Sequence, residues 1–87
     1  MSGAEQVVDN TAAERFELEV EGQTAFLKYE RENGALVLIH TEVPEALRGH
    51  HIGERLVKAA LDAARAEGSR TVPICPFVRA YMKKHPL

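Results

Sequence analysis

Cysteine is almost absent from this sequence. Its single cysteine, Cys75, excludes an internal disulfide framework. Long apolar runs are absent too: none approaches the ~18 residues that a membrane-spanning helix needs. The opening stretch "MSGAEQVVDNTAAERFELEV" has neither the basic start nor the apolar centre of a secretory signal, so the cytoplasm is the expected compartment. Repeats and low-complexity segments are missing. Metal-ligand spacing is missing as well. His50 and His51 are adjacent, so their side chains diverge on a helix, and Cys75 is far along the chain. No metal site is expected.

What is present describes one small folded domain. The apolar share of 45% argues against wholesale disorder. A chain of 87 residues buries only a modest part of its unfolded surface. Ordering it costs about 1.5 kcal/mol per residue, so a ligand or a homo-oligomeric partner is a natural source of further stability. The net charge of −2 argues against general nucleic-acid binding. The charge is unevenly placed. Residues 1–32 hold eight acids and three bases, and residues 47–87 hold three acids and eight bases. Small anions are expected to favour the second half and basic substrates the first.

Residues 1–13 read as a flexible tail ahead of a domain over 14–87. "RFELEVEG" alternates, with Phe16, Leu18 and Val20 on one face and charges on the other, which predicts a strand with one wet face. Gly22 turns the chain into a second strand, "QTAFLKYERE". Asn33-Gly34 is a hairpin signal. "ALVLIHTEV" is apolar on both faces and reads as a central strand ended by Pro44. A helix is predicted from about Ile52 to Glu67 by the stripe Ile52, Leu56, Ala59, Ala60 and Ala63, widened by Val57, Leu61 and Ala64, and Gly68 is its natural stop. "RTVPIC" is a short strand that Pro73 either keeps to an edge or parts locally from its neighbour. "PFVRAYMKKH" is a second helix with Pro76 in its first turn. The order is β-β-β-α-β-α, an α+β mixed sheet. Its strand-helix-strand crossover is right-handed if the strands are parallel.

The start of the long helix lacks a preceding Ser, Thr, Asp or Asn cap and carries Arg48, Gly49 and Gly53 instead. Its first N–H groups have no partners within the helix. Glycines let a ligand approach the backbone, Arg48 adds a charge-assisted contact, and the dipole favours a phosphate. A plain structural turn fits the same local features.

The stretch "ALVLIHTEVPEALRGHHIGERLVKAALDAARAEG" resembles the strand, coenzyme A loop and helix of the GNAT acetyltransferase superfamily. "TVPICPFVRAYMKKHP" is similar to the signature of its small single-domain group. The resemblance covers roughly residues 14–87. The superfamily loop reads Arg or Gln, two residues, Gly, one residue, then Gly or Ala. Arg48 and Gly53 match its ends, while His51 stands at the central Gly. The acceptor-pocket helices and final strands of larger members have no counterpart. The resemblance implies a minimal fold whose central parallel strands, Ile39–Val43 and Val72–Cys75, splay apart. Pantetheine of acetyl-CoA, the co-substrate, would bond backbone groups of Thr41, Glu42 and Val43. Its pyrophosphate would lie at Arg48, Gly49, His50, His51, Ile52 and Gly53. Cys75, Tyr81 and Lys84 complete the implied coenzyme contacts, with Arg79 and Lys83 as further cations that also read as solvated helix residues.

Acetyl transfer to an amine requires a base, because the acceptor ammonium must lose a proton. Glu42 and His40 share a face at the ligand end of the third strand, and either one, or the two as an orienting pair, can serve. Cys75 stands at the start of the last helix, where the positive helix end favours a thiolate. It reads three ways: covalent acetyl carrier, pocket wall, or core filler. By resemblance Tyr81 protonates the leaving sulfur, with His85 one turn on as the alternative. The chain is thus expected to be an N-acetyltransferase acting on an amine of a small molecule or protein. The rival readings are a coenzyme A-binding module with little turnover and a small interaction domain using the acidic first strands.

Overall fold

The structure, a computed structural model, describes residues 6–85. Seven regular elements follow one another: β1 (Val8–Asn10), β2 (Arg15–Val20), β3 (Gln23–Glu32), β4 (Ala35–Glu42), α1 (Ile52–Glu67), β5 (Arg70–Pro73) and α2 (Pro76–Lys84). A single 3-10 turn, Glu45–Leu47, lies between β4 and α1. The sheet order is β1-β2-β3-β4-β5. Every neighbouring pair is antiparallel except β4 and β5, which run parallel and are joined through α1. This is the α+β architecture expected, with one strand more.

The additional strand corrects the reading of residues 1–13 as a tail. Val8, Asp9 and Asn10 pair with Glu17, Phe16 and Arg15. Residues 1–5 of that expected tail lie outside the described residues. No local pattern announces β1, because its order comes from a distant partner. Tyr29 on β3 is fully buried, and its hydroxyl donates to Asp9 Oδ1 at 2.5 Å. Arg31 Nη1 donates to the same hydroxyl at 3.1 Å. The guanidinium also grips Glu67 with two bonds, Nε to Oε2 at 3.2 Å and Nη2 to Oε1 at 3.1 Å. One arginine therefore links the first strand, the middle of the sheet and the far end of α1.

Arg31, followed by Ser69, holds the Glu67 carboxyl below the usual value of 4.5. A lowered folded value contributes stability that is present above 4.5 and is lost as pH falls through the lowered value. Arg31→Met should therefore be less stable at neutral pH, by about 1 kcal/mol for a pair this exposed. The gap from wild type should narrow as pH falls below 4.5. Urea unfolding at pH 7 and in acid measures it, and a gap that widens in acid contradicts the assignment.

The core forms on one face of the sheet. Phe16 and Leu18, then Ala25, Leu27 and Tyr29, then Leu36 and Leu38 are buried together with Leu56, Val57, Ala60, Leu61 and Ala64 of α1 and Val78 of α2. Ala59 and Ala63 of the predicted stripe are half-buried at its margin. Gly68 ends α1 in a left-handed conformation at φ 76°, and its N–H reaches back to the carbonyls of Ala64 and Arg65. β5 is an edge strand, which suits Pro73. Among the described residues no helix is long and apolar enough to cross a membrane.

Candidate functional site

Two irregularities build the site. The first is a β-bulge. Lys28 faces His40 and Tyr29 faces Leu38, so Ile39 is an additional residue on β4. An additional residue reverses which side chains face inward beyond it. Thr41 consequently pairs with the buried Leu27, on the core side. His40 and Glu42 fall on the open face beside Lys28 and Phe26. There His40 Nε2 and Glu42 Oε1 are 2.8 Å apart, both more than half exposed. The pair anticipated from the sequence is thus formed.

The second irregularity is the parting of β4 from β5. Their register runs from Ala35↔Arg70 to Leu38↔Pro73 and stops there. The Leu38 carbonyl accepts from Ile74 N–H at 2.9 Å and from Cys75 N–H at 3.0 Å, which closes the ladder. β4 runs on to Glu42 without β5 beside it. The expected second splayed segment, Val72–Cys75, is corrected: Val72 and Pro73 remain paired, and only Ile74 and Cys75 depart. Proline supplies no N–H to continue the ladder.

A cleft of about 560 Å³ opens between this unpaired end of β4 and the entrance of α1. Thr41, Glu42 and Val43 form one wall, with His40 at its edge. Arg48, Gly49, His51, Ile52 and Gly53 form the other. No side chain caps α1. Arg48 Nε donates to the Val43 carbonyl at 3.2 Å and so ties the two walls together. Gly49 takes φ 87°, a conformation suited to glycine.

His51 stands where the family loop pattern has its central Gly. It adopts φ 60° and ψ 26°, the left-handed conformation a glycine would take there. Its side chain is 81% exposed and bonded through Nδ1 to Glu54. The loop thus holds a backbone conformation suited to glycine, with the imidazole bonded to Glu54. Left-handed backbone costs a non-glycine residue about 1–2 kcal/mol, and most when it is β-branched. His51→Gly should stay within about 1 kcal/mol of wild type, since glycine trades that strain for entropy. His51→Val should lose about 2 kcal/mol. Thermal unfolding of the two variants gives the comparison, and equal midpoints would contradict it.

Several anticipated contacts lie elsewhere. His50 is exposed and outside the cleft lining. Tyr81 and Lys84 line a second, smaller cleft of about 330 Å³, together with Lys83. Phe77 stands between the two clefts as a wall of both, with Glu54 beside it. Its ring lies on Gly53, where a Cβ would meet Phe77 Cζ at 2.9 Å. Phe77, Glu54 and Leu47 are the lining residues that reading the sequence missed. An aromatic in the first turn of a helix gives no local sign that it covers a distant glycine. His85 stacks on Tyr81 with ring centroids 4.3 Å apart.

Cys75 is buried at the start of α2 and is not among the residues that line the first cleft. Burial opposes its thiolate, but hydrogen bonds from the Thr41 hydroxyl and from the backbone N–H groups of Val78, Phe77 and Thr41 outweigh it. The thiol is held below its ordinary value of 9.0. The arrangement thus offers an uncapped helix entrance, a strand end without β5 beside it, an exposed His–Glu pair and a thiol held below its ordinary value.

Comparison with known proteins agrees with this layout. The family described as GCN5-related N-acetyl-transferase matches residues 15–87. Protein NATD1 of Homo sapiens is 42% identical over 64 residues, covering 72% of this chain and 57% of that protein. Protein NATD1 of Mus musculus and of Gallus gallus are each 42% identical over 64 residues, with 72% of this chain and 58% of theirs covered. The matched region thus spans less than three fifths of those relatives. The fold, the parted parallel strands and the match over nearly all of the described residues lead to one assignment: the chain belongs to the GCN5-related N-acetyltransferase family.

Proposed function

We propose that this protein transfers an acetyl group from acetyl-CoA to an amine. The observation that carries the reading is the cleft joining the unpaired end of β4 to the uncapped entrance of α1. Its strand wall suits an amide-bearing chain, and its helix wall suits a pyrophosphate. In the reaction the amine nitrogen bonds to the thioester carbonyl carbon, the carbon–sulfur bond breaks, and the amine proton goes to the His40–Glu42 pair. A proton returns to the departing sulfur. Thr41–Val43 and Arg48–Gly53 hold the donor, and the exposed pair deprotonates the acceptor from the open face.

Tyr81 lies beyond Phe77, outside that cleft, and this favours a second reading, coenzyme A binding with little turnover. Calorimetry with acetyl-CoA, followed by release of free thiol in the presence of lysine peptides or small amines, separates the two. Binding with amine-dependent thiol release is the expected result, and binding without it supports the second reading. Absence of binding refutes both.

A further inference from the structure

Phe77 is 42% exposed and stands where the two clefts meet, as a wall of both. The outer edge of its ring is seated on Gly53. A Cβ there would meet Phe77 Cζ at 2.9 Å, Phe77 Cε2 at 3.0 Å and Val43 Cγ2 at 3.6 Å. Gly53 lies in the first turn of α1 with a negative φ, so its backbone alone would accept alanine. It is the ring of Phe77 that needs the bare backbone. Val43, just past the end of β4, comes to the same point from the other wall. An apolar patch therefore lies between the strand wall, Thr41–Val43, and the helix wall, Arg48–Gly53.

We infer that Phe77 is a donor-binding residue, a role that rests on the proposed function: its ring, seated on Gly53, packs with Val43 on the paired methyl groups of the pantetheine arm. In coenzyme A the carbon that bears those methyl groups stands between the pyrophosphate and the first amide. With the amides along Thr41–Val43 and the pyrophosphate at Arg48–Gly53, that carbon falls between the two walls, where Val43 and Phe77 meet Gly53. Covering an exposed ring with methyl groups is favourable in proportion to the apolar area removed from water. The same ring closes the first cleft against the second, so the arm stays on the β4 side and away from Lys83 and Lys84.

Dephospho-coenzyme A and ADP differ by the pantetheine arm, and their binding can be titrated by NMR. Phe77→Ala should weaken dephospho-coenzyme A about tenfold, the effect of uncovering one or two methyl groups, and leave ADP unchanged. Phe77→Leu, which keeps an apolar contact, should recover most of the loss. Phe77→Gln takes the place of Phe77→Ala if that variant does not fold. Gly53→Ala should also weaken dephospho-coenzyme A and spare ADP, because its methyl group forces the ring off its seat. Added to Phe77→Ala, it should cost nothing more, since the ring through which it acts is gone. Equal losses for both ligands, or a Gly53→Ala loss that persists without the ring, overturn the inference and leave the proposed function standing. Failure of the wild-type protein to bind coenzyme A refutes the proposed function and this role with it.

Discussion

Leu38→Ala should lower the thermal unfolding midpoint by at least about 8 °C, since it costs roughly 2–5 kcal/mol and each kcal/mol moves a domain of this size by about 4–8 °C. Leu38 is fully buried in the core. It is also the last β4 residue paired with β5. Truncating it leaves a cavity directly behind the place where the strands part. A domain of this length has only about 5–10 kcal/mol in total, so the variant stands near the limit of folding. Ile39→Ala provides the contrast. Ile39 is the bulged residue and is half-buried, so its loss should be well under half as large. Calorimetric unfolding of both variants decides the matter. Equal losses would mean that the core does not reach the splay.

Gly49→Asp should weaken acetyl-CoA binding about a hundredfold, because a new carboxylate some 5 Å from a phosphate costs near 3 kcal/mol at an effective dielectric of 20. A Cβ at Gly49 would meet nothing within 4 Å, so crowding is not the cause. The φ of 87° strains any side chain there, and that contribution must be separated from charge. Gly49→Asn supplies the separation. It carries the same backbone strain and nearly the same shape without the charge, so it should lose less than about tenfold. Calorimetry at two salt concentrations completes the test, since raised salt should recover part of the aspartate loss and none of the asparagine loss. Similar affinities for the two variants would move the pyrophosphate away from the helix entrance.

Much of this protein follows from short-range pattern. The alternation in "RFELEV", the Asn-Gly turn, the stripe from Ile52 to Ala64 and the stop at Gly68 each depend on residues within a turn or two of one another, and the elements formed where those signals stand. The helix entrance without a cap was legible for the same reason, as was the placing of His40 and Glu42 on one face, which two-residue spacing ensures on either side of a bulge.

Only tertiary structure decided the rest. Strand alternation tells which residues share a face but not which face is buried once an additional residue enters, and the bulge at Ile39 arises from how β4 pairs with β3. It alone turned Thr41 toward Cys75 and His40 toward solvent. Asp9 belongs to the fold because a buried phenol, 20 residues away, needs an acceptor. Phe77 divides two clefts because Gly53, on another helix, leaves room for its ring. Each of these depends on residues far apart in sequence, whose meeting costs chain entropy and is repaid only when the whole core assembles, so no local spacing carries its sign.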